Sequence, residues 1–256
     1  MTGRTAERFR AARRDSSLAI LEGFHPLKHA LRFGGDIVEA ICVERGEVIE
    51  LARRLAPDVE DALLSVPMAE VDERTFRAAA PRPPSPVLAL ARRPAPPLTP
   101  AADAPIVVLD RPTHHGNVGA VVRVAAAAGA GGVICLEGAD PWHPAALRAG
   151  AGLQFAVAAA AAGRASLEDL AGKRPVVAVV PGAPPATALL PRDAVLLFGA
   201  ERAGLGSDLH ASADLEVGIP MRAGVSSLNL ATAVAVVLYG YVRYARPAGI
   251  QGSEGD

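Results

Sequence analysis

The sequence has few cysteines and no apolar segment long enough to cross a membrane. Cys42 and Cys135 are its two cysteines, and neither has a second Cys or a His at metal-ligand spacing. We therefore interpret both as buried thiols in a reducing compartment and predict no metal site. The longest apolar runs, 124–136 and 230–242, fall short of the roughly 18 residues that a membrane span requires. With no apolar segment after the first arginines, we expect a cytoplasmic protein without a membrane partner.

The sequence also lacks an excess of charge of either sign. Lys and Arg number 26 and Asp and Glu number 27, so the chain is not a polycation and any binding of nucleic acid must use local patches. One such patch is the basic segment 1–15, which contains a single acidic residue before its last position, Glu7. The arginines of this segment are Arg4, Arg8, Arg10, Arg13 and Arg14. A solvated N-terminal arm without a ligand is an equally good interpretation of this segment.

Three common enzyme motifs are missing. No Gly-x-Gly-x-x-Gly follows the apolar strand predicted at 106–109, which excludes a standard dinucleotide-binding turn. No Gly-Lys-Ser/Thr is present for a phosphate-binding loop. There is no nucleophile elbow either, so a Ser/His/Asp hydrolase lacks support.

Short apolar strands alternate with helical patterns in the second half of the chain. Half of all residues are hydrophobic, which supports a substantial core. The predicted strands are 106–109, 132–136, 176–180, 194–198 and 215–219. The predicted helices are 117–129, 144–149, 166–171, 205–211 and 230–244. This alternation predicts an α/β domain with a mostly parallel sheet and helices on both faces, and such sheets bind ligands at the carboxyl ends of their strands.

The first half of the chain predicts a smaller α/β module, separated from the second half by a proline-rich stretch. Its predicted elements are a strand and helix within 16–33, strands at 37–43, 66–71 and 87–91, and helices at 48–55 and 58–64. Nine prolines lie between 81 and 105, which makes that stretch stiff and extended. We therefore divide the chain into an arm (1–15), a first module (16–95), a linker (96–105), a second domain (106–246) and a flexible tail (247–256).

Unusual polar turns follow three of the predicted strands. The first runs from Asp110 to Arg123 and includes Asn117. The second, 198–205, is glycine-rich and carries Glu201 and Arg202. The third, 219–229, leaves the sheet at Pro220 and places Ser226, Ser227 and Asn229 before the last helix, where such side chains cap free N–H groups.

The order and spacing of these three turns resemble the three motifs of the SpoU/TrmH family of RNA ribose 2′-O-methyltransferases, in the SPOUT superfamily. The resemblance spans residues 106–244. The first module, with Glu22-Gly23-Phe24-His25-Pro26-Leu27-Lys28, resembles the ribosomal-protein-like RNA-binding domain that often precedes the catalytic domain in this family.

This resemblance implies a trefoil-knotted domain, a homodimer and S-adenosylmethionine as the cofactor. It also implies that backbone groups near Gly199, Ile219 and Leu228 hold the cofactor. The resemblance further implies that the remaining polar motif residues hold the target nucleotide and Arg123. These residues are Asn117, Glu201, Ser227 and Asn229. Without the resemblance, Asn117 and Ser227 are helix caps, Glu201 belongs to a surface turn and Leu228 is a core residue.

Methyl transfer to a ribose 2′-hydroxyl needs an aligned methyl donor, a fixed sugar and a base, because the hydroxyl is a poor nucleophile. The resemblance assigns Arg123 to this hydroxyl, as proton acceptor or as the group that orients the hydroxyl and its neighbouring phosphate. An arginine pKa above 12 makes the acceptor role demanding.

Two positions depart from many relatives: Gly116 stands where Pro often precedes the first-motif Asn, and Ala200 where Asn or Ser is common. The adjacent His114 and His115 are either solvated or in contact with RNA phosphate.

The leading hypothesis is methylation of structured RNA, with rRNA favoured over tRNA because a separate recognition module suits a folded target. A non-catalytic RNA-binding protein with the same fold, or a small-molecule enzyme of the doubly wound class, are the alternatives.

Overall fold

The computed structural model describes residues 2–80, 86–94, 99–200 and 203–242, which contain two β-sheets. The first sheet has the order β1-β4-β2-β3, formed by β1 (Leu18–Glu22), β2 (Ile37–Cys42), β3 (Met68–Glu70) and β4 (Val87–Arg92). Strand β4 is antiparallel to both β1 and β2, whereas β3 is parallel to β2. The helices of this module are α1 (Thr2–Ala12), α2 (Phe24–Arg32), α3 (Arg45–Leu55), α4 (Glu60–Leu64) and α5 (Glu73–Ala79).

Helix α1 occupies most of the segment that we interpreted as a basic arm, and it is not a frayed extension. Phe9 is fully buried, and Ala6 and Ala12 are nearly so. These three positions share a helix face and pack with Phe76 of α5 in one hydrophobic cluster on the first sheet. This narrow apolar stripe is not evident in the sequence, because arginines lie between its members and only Phe9 among them is large.

Helix α5 was not predicted, although its start carries a clear capping signal. Asp72 accepts a hydrogen bond from the Thr75 backbone N–H at 2.8 Å, as an N-cap residue does. Phe76 is its main core contribution. A seven-residue helix with one large apolar side chain gives too little periodicity to be recognised.

The second sheet is parallel throughout its described pairs, which confirms the predicted mostly parallel α/β domain. Its order is β10-β8-β9-β5-β6-β7, from β5 (Ile106–Asp110), β6 (Gly132–Leu136), β7 (Ala158–Ala162), β8 (Val176–Val179), β9 (Val195–Phe198) and β10 (Leu215–Val217). Its helices are α6 (His115–Ala127), α7 (Pro144–Ala149), α8 (Ser166–Ala171), α9 (Ser207–Ala211) and α10 (Leu230–Tyr241).

Helices cover both faces of this sheet. Val122 of α6 and Val234 of α10 belong to the large core cluster on one face. Leu167 of α8 and Leu209 of α9 belong to the cluster on the other face, together with Leu197 of β9. Alternate residues of the strands β5, β6 and β9 enter opposite clusters, and this two-sided burial explains why these strands are continuous apolar runs.

Strand β7 was not predicted. It is the run Ala158–Ala162, and alanine has the highest helix propensity of any residue. Here the run pairs in register with β6 along the edge of the sheet, from Gly132 opposite Ala158 to Leu136 opposite Ala162. Tertiary pairing therefore overrides the local preference.

Several predicted boundaries differ from the structure by a few residues. The helix predicted at 117–129 begins at His115, and the one predicted at 205–211 begins at Ser207. The strand predicted at 66–71 is Met68–Glu70, and the last helix ends at Tyr241. The tail predicted at 247–256 lies outside the described residues, as does part of the linker.

The two halves of the chain share one hydrophobic cluster. Trp142, Leu147 and Phe155 of the second half pack with Phe24 and Leu27 of α2. The Trp142 and Phe155 rings meet edge to face with centroids 5.1 Å apart, and the Trp142 Nε1–H donates to the Ala159 carbonyl at 2.8 Å. Within the described chain, no helix combines the length and apolar character that a membrane crossing demands.

Candidate active site

A pocket of about 370 Å³ opens at the carboxyl ends of β8 and β9, where the parallel sheet was expected to bind a ligand. Its lining comes from the ends of these two strands, from the turns after β8, β9 and β10, and from the start of α10. The lining residues include Gly199, Gly204, Leu205, Ile219, Ser227 and Leu228. A volume of this size lies within the range of small-molecule sites, roughly 300–1,000 Å³. The structure thus brings together all three residues proposed from the resemblance to hold a cofactor, and their role stays a prediction.

Gly199 allows the turn after β9 to fold tightly beside the pocket. A Cβ atom at this position would lie 2.1 Å from the Gly204 carbonyl carbon and 2.2 Å from the Leu205 nitrogen. Ala200 and Gly204 exchange two backbone hydrogen bonds of 3.1 and 3.0 Å across the turn. Any side chain at 199 would therefore displace the backbone that lines the pocket.

The turn after β10 leads into α10 through a capped start. Asn229 Oδ1 accepts hydrogen bonds from the backbone N–H groups of Ala231 at 3.0 Å and Thr232 at 3.4 Å. This satisfies two of the N–H groups that a helix start leaves unpaired. The cap fixes the preceding residues Ser227 and Leu228, which are exposed and line the pocket.

Asn229 also connects the third polar turn to the first. Its Nδ2 donates to Asn117 Oδ1 at 3.2 Å, although the two residues are 112 positions apart in the chain. Asn117 lies in the first turns of α6, which packs beside α10. The structure therefore places two of the predicted catalytic residues in direct contact beside the pocket.

Arg123, in contrast, does not line the pocket within the described part of the chain. Six residues along an α-helix turn through about 600°, which leaves Arg123 roughly 120° away from Asn117 around the axis of α6. Arg123 is exposed. Burial first, and then nearby positive charges that include Arg123, lower the pKa values of His25 and Lys28 on α2. The described lining of the pocket thus lacks Arg123, and its role at the 2′-hydroxyl stays a prediction.

Glu201, the remaining catalytic candidate, lies outside the described residues.

The two histidines of the first turn are described, and they differ in their surroundings. His115 stacks on His143 with ring centroids 3.8 Å apart, whereas His114 is exposed. Burial, and then the neighbouring His115, lowers the pKa of His143, whose Nδ1 accepts a hydrogen bond from the Ala145 N–H.

A buried carboxylate that the sequence analysis left without a role organises the loops beside the pocket. The Asp110 side chain is fully buried and accepts hydrogen bonds from Arg164 Nη2 at 2.7 Å and from the Gly206 N–H at 2.8 Å. Arg164 also binds Glu137 at 3.1 Å and pairs with Asp208. The sequence did contain a signal for this network, since a lone Asp ends a strand that is apolar throughout. A buried carboxylate requires hydrogen-bond or ion-pair partners.

The pocket lining suits a neutral or cationic organic ligand better than a metal ion. The lining residues carry no charged side chain among those described, and two of them are the glycines Gly199 and Gly204. No group of three or more His, Cys, Asp or Glu side chains in the described ranges could hold a metal ion.

Residues 104–239 match the SpoU rRNA Methylase family, and this match includes all three polar turns. The chain belongs to the SpoU rRNA methylase family. The family's matched region covers the whole second sheet and most of α10.

Individual relatives agree with this assignment. A 23S rRNA (uridine(2479)-2′-O)-methyltransferase from Streptomyces viridochromogenes is 33% identical over 148 residues, which are 54% of this chain and 52% of the relative. The chain thus spans about half the length of that relative. A 23S rRNA (guanosine(2553)-2′-O)-methyltransferase from Bacillus subtilis is 26% identical over 228 residues, 86% of each chain.

The fold agrees with that of a solved family structure. The crystal structure of an AdoMet-bound rRNA methyltransferase from Sinorhizobium meliloti superimposes with a TM-score of 0.75 at 26% identity. The superposition covers 91% of this chain and 92% of that one, so it includes both sheets.

Proposed function

We propose that this protein uses S-adenosylmethionine to methylate a ribose 2′-hydroxyl in structured RNA, with rRNA favoured over tRNA. The observation that carries the proposal is the pocket beside the Asn229–Asn117 hydrogen bond, where the three polar turns of a SpoU family chain converge. The relatives from Streptomyces and Bacillus are named as 23S rRNA 2′-O-methyltransferases, which favours rRNA as the substrate.

The residues of the pocket fit the proposed cofactor. Backbone groups near Gly199, Ile219 and Leu228 would hold it, and apolar neighbours such as Leu205 would enclose its less polar parts. When bound, S-adenosylmethionine supplies an electrophilic methyl group. The absence of charged side chains from the described lining leaves a sulfonium cation without a repelling neighbour.

The protein's own residues would fix the ribose and manage its proton. Ser227 lies at the pocket, and Asn229 and Asn117 form a polar pair beside it that would orient the target nucleotide. Arg123 would act on the 2′-hydroxyl, either accepting its proton or orienting it with the adjacent phosphate. Glu201 follows Ala200 in the sequence, and its carboxylate would hold the Arg123 guanidinium, as the family resemblance implies.

A second copy of the chain would supply Arg123 to each pocket, since Arg123 faces away from the pocket of its own chain. We therefore propose a homodimer. Tyr239 of α10 is 60% exposed and Val225 of the third turn is 48% exposed, which leaves apolar surface near the site for a partner. Light scattering at micromolar concentration should give twice the chain mass, and a monomer that is fully active would contradict this arrangement.

We also propose that the second domain is knotted, that the first module binds RNA and that the protein works in the cytoplasm. The end of α10 lies against the segment between β8 and β9, where the Leu190 N–H donates to the Tyr241 carbonyl at 2.7 Å, and this contact supports a threaded C-terminus. The unpaired buried thiols of Cys42 and Cys135 support a reducing compartment.

Nucleoside mass spectrometry tests the proposed reaction. Purified protein is incubated with S-adenosylmethionine and unmodified 23S rRNA or tRNA transcripts, and the RNA is digested to nucleosides. We expect a new 2′-O-methylnucleoside from the rRNA. Cofactor binding by calorimetry without any product from either RNA would instead favour a non-catalytic RNA-binding protein.

A further inference from the structure

Asp110 carries a buried negative charge next to the turn after β9 that lines the pocket. It ends β5, whose parallel register pairs Leu109 with Phe198, so Asp110 lies beside the point where β9 leads into Gly199. Its side chain is fully buried and is not among the described residues that line the pocket. Any effect of Asp110 on a ligand must therefore pass through a neighbouring residue.

That neighbour is Gly206, at the far end of the turn. The Gly206 backbone N–H donates to Asp110 Oδ2 at 2.8 Å. Gly206 directly follows Gly204 and Leu205, which both line the pocket, and it precedes the first residue of α9. The turn is thus held at its start by β9 and at its end by the Asp110 carboxylate.

Two arginines hold this carboxylate in place. Arg164 Nη2 donates to Oδ1 at 2.7 Å, and Arg111 donates from Nε to Oδ1 and from Nη2 to Oδ2, each at 3.2 Å. Both guanidinium groups also pack against Gly206, where a Cβ would lie 3.2 Å from Nη2 of either arginine. Arg111 makes its contact with a φ of 46°, a left-handed backbone that costs free energy in a residue other than glycine. Both oxygens of Asp110 therefore accept hydrogen bonds, and its buried charge is compensated.

Arg164 extends this network along the edge of the sheet that carries the pocket. It follows β7 and binds Glu137, directly after β6, at 3.1 Å, and it pairs with Asp208 in the first turn of α9. Apolar side chains could fill a buried site of this kind with similar stability, but they would offer no acceptor to the Gly206 N–H. The need to hold Gly206 therefore explains why a charge is buried at this position.

We propose that Asp110 and Arg164 are positioning residues for the cofactor, which hold the turn after β9 in the conformation that binds S-adenosylmethionine. This inference rests on the proposed function for the identity of the ligand. Asp110 acts through Gly206 on Gly204 and Leu205, and Arg164 acts by fixing the Asp110 carboxylate. A turn that is already held before binding loses less conformational freedom when the ligand arrives, so the affinity is higher.

The first experiment measures the affinity of Asp110→Asn for S-adenosylmethionine by titration calorimetry. Asparagine keeps the shape of the side chain, but it lacks the charge and has only one acceptor atom for the Gly206 N–H and the arginines. We expect the Kd to rise on the order of tenfold. Unchanged Kd in Asp110→Asn would overturn the proposal.

Glu22→Gln is the matched control for this variant. Glu22 of β1 is also a nearly buried carboxylate bound by two arginines, Arg13 and Arg148, but it belongs to the first module. Its neutralisation removes a comparable charge network, so any general effect of such a loss appears in both variants. Glu22→Gln should keep the wild-type affinity for S-adenosylmethionine, and an equal loss in the two variants would contradict a specific role of Asp110.

Variants of Arg164 test the same link from the partly exposed side of the network, so they decide the question even if Asp110→Asn does not fold. Arg164→Gln should weaken binding of S-adenosylmethionine severalfold, because the Asp110 carboxylate loses its shortest contact. Arg164→Lys keeps a cation for Asp110 and should restore the affinity. Arg148→Gln, which takes an arginine from Glu22, is the control and should bind as wild type. Equal affinities of Arg164→Gln and Arg148→Gln would remove Arg164 from the proposal.

Hydrogen exchange separates positioning from a general loss of stability. Without ligand, peptides that cover Gly206 should exchange severalfold faster in Asp110→Asn or Arg164→Gln than in wild type, while peptides of the first sheet exchange equally. Saturating S-adenosylmethionine should slow the Gly206 peptides more in the variants, because the ligand then orders a turn that the wild type already holds. Uniformly faster exchange over the whole chain would show a purely structural role and overturn the proposal.

The two proposals fail separately. If the variants lose affinity for S-adenosylmethionine as expected but wild type forms no 2′-O-methylnucleoside, the positioning role stands and the methyltransferase function is wrong. If the nucleoside forms while Asp110→Asn and Arg164→Gln keep the wild-type affinity, the function stands and the positioning proposal is wrong.

Discussion

At the scale of single residues, Gly199 controls the shape of the pocket through the side chain it lacks. We expect Gly199→Ala to push apart the backbone at Gly204 and Leu205, since its Cβ would meet them at 2.1 and 2.2 Å. The affinity for S-adenosylmethionine should fall by about tenfold or more, measured by titration calorimetry. Gly46→Ala is the matched control, because no atom lies within 4 Å of a Cβ at that position. Wild-type affinity in Gly199→Ala would show that this turn does not hold the cofactor.

The site residues differ in how far the sequence could predict them. Gly199, Ile219 and Leu228 have no distinctive chemistry of their own, and only the resemblance of their motifs selected them before the structure placed them in one pocket. The partners of Asp110 could not be predicted, because Arg164 and Gly206 lie on loops that only the sheet order brings together. The electrostatic effect of Arg123 on His25 and Lys28 likewise depends on the packing of two modules.

At the scale of elements, the start of α10 combines a structural and a functional contact in Asn229. We expect Asn229→Ala to cost about 1 kcal/mol in the free energy of unfolding, because the cap to Ala231 and Thr232 is lost. Asn229→Asp keeps an acceptor for the cap but loses the Nδ2 donor to Asn117. Denaturant unfolding should therefore separate the two variants.

The two Asn229 variants should differ in their free energy of unfolding but not in their methylation activity. Both variants should lose activity if the Asn229–Asn117 contact orients the nucleotide, even though Asn229→Asp folds as well as wild type. Full activity of Asn229→Asp would limit Asn229 to its capping role.

Elements with strong apolar patterns could be predicted, and those with weak patterns could not. Strands such as Ile106–Asp110 and Gly132–Leu136 are wholly buried, so their apolar runs identified them. Strand β7 consists of alanines, which favour a helix until β6 provides a pairing edge. Helix α1 exposes arginines on most of its surface, so its single large buried side chain, Phe9, was too weak a signal.

At the scale of the whole molecule, polar contacts as well as the shared core hold the two modules together. Glu22 of β1 is nearly buried and binds Arg13 at 2.7 Å and Arg148 of α7. Arg93 pairs with Asp140 at 2.9 Å, and His29 donates to the Ala151 carbonyl. These contacts fix the first module against the second, so RNA bound to one would be presented to the other in a defined orientation.

The His29 contact predicts how stability depends on pH. Burial lowers the pKa of His29 below its usual 6.5, and the hydrogen bond to Ala151 offsets only part of this effect. Between the lowered pKa and about 6.5, the unfolded chain binds more protons than the folded one, so stability is present above about 6.5 and is lost as the pH falls. Urea midpoints should therefore decrease from about pH 7.5 to about pH 5.5.

A variant isolates the contribution of His29 to this dependence. His29→Gln keeps a donor for the Ala151 carbonyl but does not titrate. The difference between its urea midpoints at about pH 7.5 and about pH 5.5 should therefore be smaller than in wild type. A remaining difference is expected, because burial also lowers the pKa values of His25 and His143. An undiminished difference in His29→Gln would exclude His29 as a source of the pH dependence.

The measurement that tests the account most directly is the single-turnover rate of 2′-O-methylnucleoside formation at saturating S-adenosylmethionine and RNA, for wild type and Arg123→Ala. Saturation removes the effect of weaker RNA binding, so the rate reports on the methylation step itself. We predict product from the wild type and a rate on the order of 100-fold lower for Arg123→Ala, with the cofactor affinity unchanged. A full rate in Arg123→Ala, or no product from a wild type that binds the cofactor, would contradict the account.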